Sequence, residues 1–132
     1  MADFFVWDPK TLSVDVAEMD DEHIELIRKM NALHAAHARA AKKEELAPLF
    51  GDLATYATKH FADEEAYMAR VGYAGLESHK LIHKKLLTRV GEHAAEFEKA
   101  GVLTDAFFSF LAFWLTSHIR GIDAKYSSSA AA

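Results

Sequence analysis

The sequence predicts an all-α fold: an up-down-up-down antiparallel four-helix bundle with an N-terminal arm. Three observations predict it. Four segments repeat apolar residues at the three- and four-residue spacing of an amphipathic helix. Only two prolines and six glycines interrupt the 132 residues. The connections between the periodic segments are short, which makes successive helices antiparallel neighbours. The length suits one domain, residues 1–132, able to bury a core without disulfides.

Residues 1–19 read as the arm, with Trp7, Pro9 and few helix signals. The first helix is expected to start with Asp20 or Asp21 as N-cap and to run to about residue 38, burying Leu26, Ile27, Met30 and Leu33. The second is expected from near Glu45, with Pro48 in its first turn, through Leu49, Leu53, Tyr56, Tyr67 and Met68 to a stop at Gly72. After Gly75 the third carries Leu76, His79, Ile82, His83, Leu86, Val90, Ala94 and Phe97, and Gly101 ends it. Thr104 can cap the fourth, which holds Phe107, Phe108, Phe110, Leu111, Phe113, Trp114, Leu115 and Ile119. That helix is apolar nearly all round, so it is buried on several sides or turns one side to a partner chain. Residues 127–132, Ser-Ser-Ser-Ala-Ala-Ala, are low-complexity and expected to be a disordered tail.

Bulk properties exclude several classes of function. With a net charge of −5 and its basic residues interspersed with acids, the chain lacks the basic stripe that nucleic acid requires. The longest apolar run, Ala106 to Leu115, is too short to cross a bilayer, so no membrane insertion is expected. No basic region precedes an apolar stretch at the N-terminus, and there is no cysteine; a cytoplasmic location is expected.

Chemistry enters with histidine and carboxylate spacing. His60–Glu64 and His79–His83 are i,i+4 pairs, and residues four apart lie one above the other on a helix face. In an up-down-up-down bundle the start of helix one, the end of two, the start of three and the end of four share one end of the molecule. His23, both pairs, and His118 with Asp123 therefore fall at one level. Nitrogen and oxygen donors without sulfur favour iron, manganese, zinc or copper. His34 lies roughly 16 Å further along the axis than His23, and His93 about 15 Å beyond His83. These two, with His37, read as structural or solvent-facing. Asp123 is the awkward member, because a step of five residues from His118 is about 140° round an ideal helix. A local distortion such as a π-turn, which Gly121 could permit, would bring the two together. Seven protein ligands and one bridging group around two octahedral ions would leave one position open for a small ligand. The carboxylate di-metal pattern Glu-x-x-His, the zinc-peptidase His-Glu-x-x-His and the haem attachment Cys-x-x-Cys-His are all absent.

Quoted as they stand, Asp20-Asp21-Glu22-His23, His60-Phe61-Ala62-Asp63-Glu64-Glu65 with Met68, Gly72-Tyr73, His79-xxx-His83 and Trp114-Leu115-xx-His118-Ile119-xxx-Asp123-xx-Tyr126 cover nearly the whole chain. This set resembles the hemerythrin family, and most of all its single-domain bacterial members. The resemblance implies a non-haem centre of two iron ions that binds O2 reversibly. It implies that His79, His83 and His118 hold one iron, that His23 and His60 hold the other, and that Glu64 and Asp123 bridge them with an oxo or hydroxo group. The O2 pocket is then expected to be walled by Leu26, Phe61, Trp114, Leu115 and Ile119, which any bundle would also use as core. The expected role is a non-enzymatic O2 carrier, store or delivery module, with O2 and a protein receiving it as partners. The alternatives are an O2 or redox sensor acting through a partner, and an enzyme acting on peroxide or nitric oxide. The last would need a proton donor near the open iron, which the five wall residues do not offer.

Overall fold

A computed structural model describes residues 4–125. Among them there is no strand; the elements are α1 (Pro9–Leu12), α2 (Ala17–Ala38), α3 (Lys43–Arg70), α4 (Leu76–Ala100), α5 (Asp105–His118) and a π-helical segment, Ile119–Asp123. The four long helices are the predicted four, and the tail expected at 127–132 lies outside the described residues.

The ends of the helices follow local chemistry. Thr104 caps α5 as expected, its hydroxyl accepting from the Phe107 amide at 3.1 Å. Gly101 closes α4 in the left-handed conformation at φ 74°. At the end of α3 the Tyr73 amide bonds the Met68 carbonyl and the Gly72 amide that of Ala69, a Schellman closure with Gly72 at φ 69°. The same pair of bonds closes α2, from Ala41 to Ala36 and from Ala40 to His37. There the left-handed residue is Ala40, at φ 58°.

Three boundaries differ from expectation. Helix α2 begins at Ala17, about a turn before Asp20 and Asp21, so the last three residues assigned to the arm are helical. Asp20 does not cap the helix; its carboxylate reaches back to accept from the Val14 amide at 2.9 Å and the Ser13 hydroxyl at 2.5 Å, fixing the loop that enters it. Helix α3 begins at Lys43, which places Pro48 beyond the first turn. Pro48 is exposed there, so water can reach the carbonyl its missing N–H leaves unbonded. The arm also holds a short helix, α1, capped by the Asp8 carboxylate on the Lys10 amide at 3.0 Å with Pro9 in its first turn.

The arm lies on the bundle. Phe5 exchanges two hydrogen bonds with the Asn31 side chain, each 2.8 Å, and Phe4 stacks on His34 at 4.3 Å. The core runs from a stack of Phe50 between Phe97 and Phe107 at one end to Leu26, Phe61, Trp114 and Leu115 near the other. Helix α5 is not buried all round, for Phe113 stands 74% exposed. Helix α4 is the most weakly buried of the long helices: its only fully buried residues are His79, His83 and Phe97.

Candidate metal centre

The bundle topology brings His23 from the second turn of α2, His60 and Glu64 from the later half of α3, His79 and His83 from the start of α4, and His118 from the end of α5 to one level. Asp123 joins them because the chain leaves α5 as a π-helix over Ile119–Asp123. The wider turn absorbs the residue that a five-step spacing has in excess, and an Asp123 oxygen lies 3.0 Å from His118 Nε2. All seven side chains are buried, none more than 4% exposed. His34, His37 and His93 stand apart: His37 Nε2 faces Asp105 at 3.1 Å, and His93 packs on Phe107 and Phe110.

Within the cluster the two carboxylates each turn one oxygen to either side. Glu64 Oε1 lies 3.2 Å from His79 Nε2, 2.9 Å from His83 Nε2 and 3.9 Å from His118 Nε2. Its Oε2 lies 3.6 Å from His23 Nε2 and 3.4 Å from His60 Nε2. Asp123 repeats the division, with Oδ1 3.0 Å from His79 and His118 and Oδ2 3.2 Å from His23. Two groups of possible ligands result, sharing the carboxylates: Glu64, His79, His83, His118 and Asp123, and His23, His60, Glu64 and Asp123.

Two observations fit this donor set to metal. Both Asp123 oxygens and His23 Nε2 are buried without a hydrogen bond of proper geometry, although nitrogen and oxygen approach to 3.2 Å or less. Buried polar atoms are ordinarily hydrogen-bonded, and atoms that crowd together without aligning are aimed at a common point instead. His79 Nε2 and His118 Nε2 also face each other at 3.2 Å. Neighbouring ligands held ~2.1 Å from an octahedral ion are separated by about 3 Å.

The electrostatics express the same crowding. Burial opposes protonation of His60, but the hydrogen bonds its ring donates to Glu22 and Glu64 outweigh it and push the imidazole up to about 9. His118 is likewise pushed up to about 9 against burial by Asp123 and Glu64. Burial would raise the Glu64 carboxyl, yet the histidines around it, His118 first, hold it well below its usual range. Asp123 is held low by His118, His23 and His79 against both burial and the Glu64 charge.

Sequence reasoning missed two carboxylates. Glu22 Oε1 lies 2.7 Å from the outer nitrogen, Nδ1, of His60, and Glu65 Oε2 lies 2.8 Å from that of His83. Glu22 adjoins His23 and Glu65 adjoins Glu64, so each sits about 100° round its helix from a candidate ligand, a spacing that does not tell which neighbouring helix it reaches. The five expected wall residues are all buried, Trp114 the most exposed at 8%. Leu26, Phe61 and Trp114 also line a small, wholly apolar cavity of about 20 Å³ that extends between Leu53, Leu86 and Leu111, whereas Leu115 and Ile119 do not border it.

A four-helix frame in which two carboxylates join a three-histidine group to a two-histidine group defines a class, the non-haem di-metal helical bundles. Residues 14–128 match the family model of the hemerythrin HHE cation binding domain, and the chain belongs to the hemerythrin family. It is 31% identical over 123 residues to a bacteriohemerythrin of Stenotrophomonas maltophilia, covering 92% of this chain and 78% of that one. To a myohemerythrin of Riftia pachyptila it is 34% identical over 122 residues, covering 92% and 90%. A crystal structure of wild-type hemerythrin superposes with a TM-score of 0.88 at 26% identity, covering 97% of this chain and 98% of that one. The domain of this family binds a di-iron centre and O2. No helix among the described residues is long and apolar enough to cross a membrane.

Proposed function

We propose that this chain binds O2 reversibly at a di-iron centre and serves as an O2 carrier, store or delivery module rather than as an enzyme. His79, His83 and His118 would hold one iron and His23 and His60 the other, with Glu64 and Asp123 each offering an oxygen to either side. The observation that carries this reading is the uneven division of five imidazoles between carboxylates that offer one oxygen to each side. The side with two histidines is one protein donor short of its neighbour, so the open position for a small ligand belongs there. When bound, the iron pair supplies the electrons that O2 binding requires.

The protein's contribution is to position and to keep dry. Leu26, Phe61, Trp114, Leu115 and Ile119 are buried apolar residues, Phe61 stacking on His83 at 4.0 Å, and the cavity that three of them border has an apolar lining. A dry wall without an acidic group slows the proton delivery that would turn reversible binding into turnover. That separates this reading from peroxide or nitric oxide chemistry. Iron quantitation with a visible spectrum under air should give two irons per chain and an oxo-bridged charge-transfer band. Stopped-flow mixing of the di-ferrous protein with O2, followed by O2 removal, should return the di-ferrous spectrum; sustained turnover of peroxide would overturn the carrier role.

A further inference from the structure

We propose that Glu22 and Glu65 are positioning residues, one for each metal position, and that of the two Glu22 has the larger effect on how firmly its position, the two-histidine one, holds its ion. The proposal rests on the assignment of the seven ligands given above and extends it outward. His60 is strung between two carboxylates, with Nδ1 2.7 Å from Glu22 and Nε2 3.4 Å from Glu64. His83 is strung the same way, with Nδ1 2.8 Å from Glu65 and Nε2 2.9 Å from Glu64. A carboxylate on Nδ1 accepts the ring's N–H, which leaves the lone pair on Nε2, the atom that faces the centre. It also fixes the ring plane and increases the electron donation of the free nitrogen.

The two outer carboxylates differ in how much depends on them. Each reaches from one helix to the next, Glu22 from α2 to α3 and Glu65 from α3 to α4. On the two-histidine side the other ring, His23, has its Nδ1 buried without a hydrogen-bond partner. Glu22 is therefore the one carboxylate orienting an imidazole there, whereas the three-histidine side keeps His79 and His118 when Glu65 is removed. Glu22 is itself sheltered, 12% exposed against 27% for Glu65, and its second oxygen lies 3.9 Å from Lys59 Nζ. Lys59 in turn is paired with Asp63 at 2.7 Å. A sheltered carboxylate tied at both oxygens holds its ring in one orientation.

The test loads wild-type protein, Glu22→Ala, Glu22→Gln and Glu65→Ala anaerobically with Fe2+, then follows iron release to an excess of chelator and the midpoint potential of the iron pair. Wild-type protein should hold two irons, which checks the ligand assignment independently of the variants. Glu22→Ala should release one iron about 10–100-fold faster than wild type and the second near the wild-type rate. Glu65→Ala should show a smaller acceleration. Glu22→Gln keeps an acceptor for the Nδ1 proton but loses the charge, so it should retain iron better than the alanine variant while its midpoint potential rises. Both irons leaving Glu22→Ala at one common rate, retention equal to wild type, or an unmoved potential in Glu22→Gln would each overturn the proposal. Wild-type protein that fails to hold two irons overturns the ligand assignment itself.

Discussion

Leu115 is 2% exposed on α5, three residues before His118, and its side chain is among the largest fully buried ones. Leu115→Ala should leave the iron content at two per chain, cost about 2–5 kcal/mol of folding stability, and speed autoxidation of the oxygenated protein by admitting water. An oxygenated spectrum that decays at the wild-type rate would remove Leu115 from the wall. The histidines give a second prediction, of opposite sign in two forms of the protein. His60 and His118 titrate near 9 when folded against 6.5 for an ordinary imidazole. In chelator-treated protein that stabilising contribution is complete below 6.5 and is lost as pH rises through about 9. Glu64 and Asp123, held low, lose theirs only in acid. Iron must displace protons from the same imidazoles, so its binding strengthens as pH rises. Thermal melts at pH 6 and 9 should therefore fall with pH without iron and widen in favour of the iron-loaded protein. The seven clustered residues were legible in sequence because i,i+4 spacing and bundle topology place them. The orientation of His60 and His83 was not, because it depends on Glu22 and Glu65 reaching across to a neighbouring helix, which periodicity along one helix does not reveal.

Each element adds its own constraint. Ala40 and Gly72 close α2 and α3 with the same pair of bonds, but only glycine enters the left-handed region without crowding its Cβ. Ala40 is exposed, so Ala40→Gly removes the strain without opening a cavity. The variant should be more stable by on the order of 0.5–1 kcal/mol, a rise of a few degrees in Tm by calorimetry. The converse change, Gly72→Ala, should lower Tm by a similar amount. Helix existence and the caps at Thr104, Gly72 and Gly101 were readable because a single side chain or a missing one decides each. The start of α2 was not: Asp20 has the chemistry of a cap, and only the loop folded back over it, with Ser13 and Val14 as donors, shows that it serves another segment. Asp-Pro at residues 8 and 9 did announce α1, a signal too short to compete with the surrounding arm.

For the molecule as a whole, the metal centre and the fold are one thermodynamic unit. Five imidazoles and two carboxylates are buried together at one bundle end with their donor atoms gathered into two groups, so metal binding and folding are linked. Saturating iron at about 1,000 times its Kd adds about 4 kcal/mol, which for a chain of this size is a Tm difference on the order of 10 °C. Glu64→Ala, which takes the carboxylate shared by both groups, should abolish iron binding and remove that difference. A Glu64→Ala protein that still binds two irons would refute the bridging arrangement. The thin burial of α4, whose fully buried residues are His79, His83 and Phe97, carries a biosynthetic consequence. Two of those three are proposed ligands, so iron would add to the hold that Leu86, Leu87 and Val90 give this helix on the core. Chains made under iron shortage should present α4 to proteases and be cleared, so that cellular abundance of the protein tracks available iron without any dedicated regulator.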